Sequence, residues 1–522
     1  MNLAAALLVT AGSDPDRPAL VGPQPTTYGQ LLRHVAAVAA TVADHATPGD
    51  RVVILAGNDV AFVAAYLGTL AAGAIAVPLN VGSPSHELAR ELDEVEPVLA
   101  LASAANADLA RRAATQFATR SDESSEESLR RERAAVMPVV VVDDLMANDS
   151  AGSAAEFVAK DPSDLAVLLF TAGTAGAPKP AMLTHGSLLA NIEQMQSHPG
   201  LRVTADDIAL SVLPLFHVYG LNVALGLALY AGAAVSLVDH FHPVETLARV
   251  RNDRVTVVAG VPAIYDAWLG LDEATAPGDS LALVRLCVSG ATTLSPKTAT
   301  AMRDRFGVVV HDGYGLTEAS PVVTTTAVST EPRPGSIGPP LPGVEVRLLD
   351  HDGKPSLEGD PGELVVRGAN VFAGYWNDAA TTNAVIVDGW LHTGDIAVAD
   401  DDGWLTLVDR AKDIVIVSGF NVFPGEVEDA LRSHRDVEDV AVIGEPHPRT
   451  GETVVAFVVA RPGHTPDPLE LLRHAGRQLA RYKLPTRVEV VDALPRTLAG
   501  KLVRRELSAA GRNADDATTK PA

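Results

Sequence analysis

RVVILAGNDVAFVAAYLGTLAAGAIAVPL, residues 51–79, decides the fold. Arg51 to Ala56 is an apolar run of strand length. Asn58 is a helix-capping residue type and opens a run of helical length to about Ala72. Ala74 to Leu79 is a second apolar run. Strand, helix and strand in so short a span predict a βαβ unit with parallel strands.

The same order recurs outward along the chain, at Ile208 to Val238. It recurs from Leu281, through a helix after Ser295-Pro296, to a strand at Val308 to His311. After Glu331 the character changes to short strands with Gly/Pro turns, as in PGELVVRG. The reading is an α/β protein: a large N-terminal domain of layered βαβ subdomains and a smaller C-terminal α/β domain on a hinge. Expected boundaries are 1–411, 412–507 and a disordered tail over 508–522. The charged, Ser-rich stretch Ser121 to Arg133 reads as an exposed loop or frayed helix.

Composition narrows the function. The 522 residues carry a formal net charge of -24, with 47% hydrophobic and 20% charged residues, a globular profile. An acidic chain with no basic run does not attract nucleic acid or anionic lipid. The one cysteine, Cys287, lies in an apolar run and reads as a buried thiol, which excludes a disulfide framework or a Cys-based zinc site. The apolar N-terminus has no preceding Lys or Arg and leads into the turn Asp14 to Pro18, so it reads as a first amphipathic helix. No apolar stretch reaches membrane-spanning length uninterrupted. The expectation is a cytoplasmic protein without stable membrane insertion.

Four motifs carry chemistry. Thr171-Ala172-Gly173-Thr174-Ala175-Gly176-Ala177-Pro178-Lys179 follows the apolar run Leu165 to Phe170. Its glycines, hydroxyls and lysine are the parts of a phosphate cradle, and they suit a polar hairpin equally. Tyr314-Gly315-Leu316-Thr317-Glu318 places a ring, a hydroxyl and a carboxylate at a strand end, fit for a nucleotide and a metal or for a capped helix start. Trp390-Leu391-His392-Thr393-Gly394-Asp395 reads as a turn whose aspartate, with the following Asp409-Arg410, suits a ribose or a structural Asp–Arg pair. Lys501, in Pro495-Arg496-Thr497-Leu498-Ala499-Gly500-Lys501, is a lysine on a Gly-containing loop, and most such lysines are solvated surface charges.

In this order, over nearly the whole chain, the four motifs resemble the adenylate-forming superfamily of acyl-CoA synthetases, firefly-type luciferases and peptide-synthetase adenylation domains. Pro214-Leu215-Phe216-His217 resembles its aromatic-His segment beside the acyl and pantetheine tunnel. Ser289-Gly290-Ala291 resembles the strand end at the adenine and acyl pocket. Asp409 to Asp413 resembles the hinge, and Ser418 to Glu428 the loop after it. The resemblance implies three cosubstrates or cofactors: ATP, Mg²⁺ and coenzyme A. Lys501 would bridge the acyl carboxylate and the α-phosphate, with Thr317, Glu318 and His217 as the other catalytic groups and Glu318 holding the metal. Thr171, Gly173, Thr174, Gly176 and Lys179 would handle pyrophosphate. Ser289, Gly290, Ala291, Asp312, Gly313, Tyr314 and Gly315 would line the nucleotide pocket, Tyr314 on adenine. Asp395 and Arg410 would hold the ribose, Lys412 would be the pivot, and the Gly419 loop would meet the pantetheine arm. His217 fits a tunnel lining or a packed core histidine.

The likeness breaks in the phosphate loop, where Ala172, Ala175 and Pro180 replace the usual Ser, Thr and Gly. Apolar walls at Leu213 to Leu229 and Pro321 to Val323, with room left by Gly313 and Ala291, favour a medium- or long-chain fatty acid. Open alternatives are an aryl-CoA ligase, an acyl-AMP ligase loading a carrier protein, and a non-enzymatic relative. Expected partners are a small carboxylic acid and CoA, not nucleic acid, with a homodimer left open.

Overall fold

The computed structural model describes residues 1–23, 25–119, 137–147, 156–171, 178–410, 413, 415–417, 420–447, 450–479, 481–496, 502–504 and 506–507. The chain divides into two compact units. The first comprises Met1–Pro334, Gly338–Glu345 and Val366–Leu391; the second comprises Gly335–Ile337, Val346–Val365 and His392–Ala522. The expected loop at Ser121 to Arg133 and the tail 508–522 lie outside the described residues.

Strands of the first unit, in chain order, are β1 (Pro18–Val21), β2 (Thr26–Thr27), β3 (Arg51–Leu55), β4 (Ile75–Pro78), β5 (Leu99–Ala102), β6 (Val139–Val141) and β7 (Leu165–Thr171). They continue as β8 (Lys179–Thr184), β9 (Ile208–Ser211), β10 (Ala234–Leu237), β11 (Val257–Gly260), β12 (Leu286–Ser289), β13 (Val310–Gly315) and β14 (Val322–Thr325). They form a six-stranded sheet, β6-β5-β3-β4-β7-β8, and an eight-stranded sheet, β14-β13-β12-β11-β9-β10-β1-β2. The three βαβ units read from sequence are present: β3 with β4, β9 with β10, and β12 with β13 all pair in parallel. The chain thus has the layered α/β architecture that its periodicity predicts.

Local chemistry corrects the opening reading in one place. The helix Val60–Ala71 is capped by Asp59, whose carboxylate accepts from Phe62 N at 2.8 Å, and not by Asn58. The Asn58 amide instead donates to Leu213 O and Val238 O, and its Oδ1 accepts from Leu215 N at 3.0 Å. A cap needs only an acceptor, whereas tying a loop of the other sheet needs an acceptor and a donor, which Asn has. All twelve residues of that helix are buried, so it is apolar all round. The helix Tyr28–His45 packs so close that a Cβ at Gly68 would stand 2.6 Å from Val38 Cβ. At the N-terminus the single expected helix is two short ones, Leu3–Leu7 and Val9–Ser13.

Under the eight-stranded sheet Leu210, Val258, Tyr265, Trp268, Cys287, Met302 and Phe306 make one core cluster. Cys287 is buried there, and burial pushes its thiol up to about 12, so it stays protonated and inert.

In the second unit the long antiparallel pair Val437–His447 and Gly451–Ala460 is extended by Val415–Val417 and Phe420–Val422, and by Arg487–Val491 in parallel. The helices Pro424–Arg432 and Pro468–Ala475 bury Val427, Leu431 and Leu471 against Val440 and Val454. Among the described residues no helix is long and apolar enough to cross a membrane.

Candidate active site

The sheet topology locates the crevice. From β9 the chain first adds β10 on one side and then β11 on the other. In an open parallel sheet, ligands bind at such a reversal, beyond the carboxyl ends of the strands. Here the segment after β9 carries Phe216 and His217 and enters the π-helical turn Tyr219–Gly226. Tyr219 Oη donates to Gly260 O at the end of β11, at 3.2 Å. Ser289, Gly290 and Ala291 form the end of β12 beside it. A Cβ on Gly290 would lie 3.1 Å from the Tyr219 ring, so glycine fits that contact best. Ala291 sits at φ +68°, a left-handed conformation costly for a residue with a Cβ and often kept at functional sites. Ser289 Oγ is buried without a hydrogen-bond partner among the described residues. The His217 ring packs against Phe216 with centroids 4.6 Å apart and the planes tilted by 45°. It is solvent-accessible but ringed by enough protein that desolvation lowers its pKa, favouring neutral imidazole.

From β13 come Asp312, Gly313, Tyr314 and Gly315. The buried Asp312 carboxylate accepts from Leu294 N and Gly313 N, yet desolvation prevails and pushes its pKa up to about 7. A Cβ on Gly315 would stand 2.2 Å from Pro321 O, a close approach that only glycine allows. Thr317 and Glu318 lie on a single 3₁₀ turn, Thr317–Ala319, without a side-chain cap. Glu318 Oε1 accepts from Tyr375 Oη at 2.6 Å.

The β7–β8 hairpin brings Thr171 opposite Lys179, with Thr171 Oγ1 donating to Lys179 O at 3.2 Å. Gly173, Thr174 and Gly176, like Ala172 and Ala175, lie outside the described residues. The Lys179 ammonium pairs with Asp378 and donates to Thr381 Oγ1 at 2.6 Å. That ion pair holds the Asp378 carboxyl well below the usual carboxylate range. Asp378 also caps the helix Ala379–Val385. Sequence reasoning missed Tyr375, Asp378 and Thr381. An Asp with Thr three residues on was a readable cap; its contact with Lys179, far away in sequence, was not.

In the second unit Asp395 is strand, not turn: it lies in Trp390–Ala399, buried, opposite Arg410 in register. Its N–H donates to Thr393 Oγ1, and Thr393 Oγ1 donates to Leu364 O at 2.6 Å. Glu363, another residue missed, holds His392 Nδ1 at 2.9 Å and accepts from Gly394 N. Lys412, Gly419 and Lys501 lie outside the described residues. Arg496 and Leu502, on either side of Lys501 in sequence, form an antiparallel bridge, and Arg496 pairs with Asp439 at 2.5 Å.

A lysine, hydroxyls and a carboxylate at strand ends suit a polyphosphate with a hard cation, which takes one or two carboxylates plus phosphate oxygens. The chain belongs to the AMP-binding enzyme family: that family's model matches residues 8–376, and the model of the AMP-binding enzyme C-terminal domain matches 426–501. A long-chain-fatty-acid–CoA ligase of Bacillus subtilis is 38% identical over 349 residues, 66% of this chain. The chain spans 62% of that ligase's length. A feruloyl-CoA synthase of Amycolatopsis is 35% identical over 95% of this chain and 98% of its own. The ATP-bound MatB crystal structure from Rhodopseudomonas palustris superposes with a TM-score of 0.88 at 31% identity, covering 98% of this chain and 99% of that one. The expected fold, a large α/β N-terminal domain and a smaller C-terminal one, agrees with these relatives.

Proposed function

We propose that this protein is an acyl-CoA synthetase: it joins a carboxylic acid to AMP at the expense of ATP, releases pyrophosphate, and passes the acyl group to the thiol of CoA. The observation that carries the reading is the meeting, on one Tyr375 side chain, of Lys179 from the glycine-rich hairpin and Glu318 from the turn after β13. The names of the long-chain-fatty-acid–CoA ligase and feruloyl-CoA synthase relatives supply the acceptor and the acid class.

A carboxylate and a polyphosphate repel each other, so catalysis is positioning plus positive charge. Lys501 bridges the acid and the α-phosphate, and Lys179, Thr171 and the backbone of 172–177 hold the departing pyrophosphate. Glu318 is the residue to hold Mg²⁺; its carboxylate, with Thr317 beside it, fits a hard cation, and the ion's charge neutralises phosphate oxygens when bound. Asp395 and Arg410 hold the ribose, Tyr314 packs on adenine, and Ser289 to Ala291 with Asp312, Gly313 and Gly315 frame the pocket. His217 lines the acyl and thiol path. Residues 412–507 form a mobile domain pivoting at Lys412, so that the Lys501 and Gly419 loops act in turn.

The acid is a medium- or long-chain fatty acid, a reading supported by the apolar stretches Leu213 to Leu229 and Pro321 to Val323. An aryl acid is the second reading, favoured by the feruloyl-CoA synthase match along nearly its whole length. The reaction belongs in the cytoplasm, where ATP and CoA are available; mass in solution decides between monomer and homodimer. Pyrophosphate release from ATP with fatty and hydroxycinnamic acids, with and without CoA, tests the reading. Turnover only with a carrier protein, or none with any acid, would overturn it.

A further inference from the structure

Phe372 to Trp376 runs as a strap between the two pieces of the first unit that carry Lys179 and Glu318. On one side it is stitched to β8: Ala373 N donates to Met182 O, Met182 N to Gly374 O, and Trp376 N to Pro180 O, each at 2.9 Å. On the other, Phe372 N donates to Glu318 O at 2.9 Å. Gly374, at φ +121°, turns the strap between these attachments in a conformation that favours glycine. Tyr375 then projects into the gap. Its N–H is held by Thr382 Oγ1 at 2.9 Å and its ring edge-packs on Phe372 at 5.0 Å, so its orientation is fixed from both ends. Its hydroxyl reaches Glu318 Oε1 at 2.6 Å, and the Lys179 ammonium stands 6.0 Å from its ring centroid.

We propose that Tyr375 is a positioning residue for the metal–nucleotide: its hydroxyl orients the Glu318 carboxylate while its ring face carries the Lys179 ammonium, setting both charges at one spacing for a single polyphosphate tail. This rests on Glu318 being the metal-holding residue. A phenol is protonated at neutral pH, so the Tyr375 hydroxyl is a donor to the carboxylate. Asp378 and Thr381 also hold the ammonium, so the cation stays over the ring until phosphate competes for it.

Two effects separate. Tyr375→Phe removes only the oxygen: Glu318 loses its orienting donor and Lys179 keeps its ring. Tyr375→Leu removes both. The test measures Mn²⁺ bound to the protein without nucleotide, from the loss of the free-ion paramagnetic resonance signal, in wild type, Tyr375→Phe, Tyr375→Leu and Glu318→Gln. A hydrogen bond to a charged group supports an expected weakening of about tenfold for Tyr375→Phe, ~1.4 kcal/mol. At saturating metal its KM for ATP should stay within about twofold of wild type, whereas Tyr375→Leu should raise it several-fold. Thermal melts close to wild type confirm that each variant is folded. If Glu318→Gln weakens Mn²⁺ binding and Tyr375→Phe does not, the Tyr375 proposal is overturned and the Glu318 reading stands. If neither weakens it, the Glu318 reading fails and takes the proposal with it.

Discussion

Replacing Asp312 by Asn should stabilise this protein at alkaline pH while weakening its grip on ATP. Asp312 is 8% exposed and accepts hydrogen bonds only from the N–H groups of Leu294 and Gly313 among the described residues. Burial outweighs those bonds and moves its pKa from the ordinary 3.8 to about 7. The folded chain therefore keeps a proton that the unfolded chain has released between pH 4 and 7, and stability falls as pH rises through that window. At ~1.4 kcal/mol for each tenfold change in proton affinity, the ionised form above pH 7 costs about 4 kcal/mol. Asn is nearly isosteric with the protonated acid and does not titrate. Urea unfolding of both proteins at pH 5 and pH 8 should therefore show Asp312→Asn gaining about 2–4 kcal/mol on wild type between the two. A charged, desolvated group retained at such a cost is the pattern of a functional site, so KM for ATP should rise in the variant. Parallel stability–pH profiles would refute the burial argument. A stabilised variant with unchanged ATP kinetics would remove Asp312 from the nucleotide pocket.

Three further outcomes follow from the same reasoning. Lys412→Pro fixes φ at the proposed pivot, so a single turnover should release pyrophosphate normally and form little thioester; thioester at the wild-type rate would move the pivot elsewhere. Restoring hydroxyls by Ala172→Ser with Ala175→Thr should raise kcat/KM for ATP several-fold, each hydrogen bond to phosphate being worth ~1.5–3 kcal/mol, and leave acid preference alone. Asp439→Ala removes the carboxylate that pairs with Arg496, shortly before Lys501 in sequence, and should lower kcat for adenylate formation about threefold with little change in melting temperature, since the pair is partly exposed.

The sequence carries the fold further than the site. Apolar runs of strand length alternating with capped helical runs are local signals, and β3, β4, β9, β10, β12 and β13 fall where those runs predict. The error at Asn58 is instructive: two adjacent cap-type residues cannot be ranked locally, because a carbonyl trio in another sheet claims the amide. Among the proposed site residues, Tyr314, Thr317, Glu318, Lys179 and Asp395 can be nominated from sequence because each sits in a compact motif. Tyr375, Asp378, Thr381 and Glu363 cannot, since each acts through a partner at least 29 residues away. Asp395 misread as turn has the same origin: Gly394, at φ +68°, signals a bend, while pairing with Arg410 keeps the strand running.

Under the proposed function two half-reactions are divided between Lys501 and the Gly419 segment, and Lys501→Ala measures that division directly. Quenched single-turnover reactions of ATP with a long-chain fatty acid, resolved for acyl-AMP, should show adenylate in wild type without CoA and almost none in the variant. Supplied acyl-AMP and CoA should give acyl-CoA at nearly the same rate in both. Equal loss of both steps, or adenylate formed by the variant at the wild-type rate, would contradict the account.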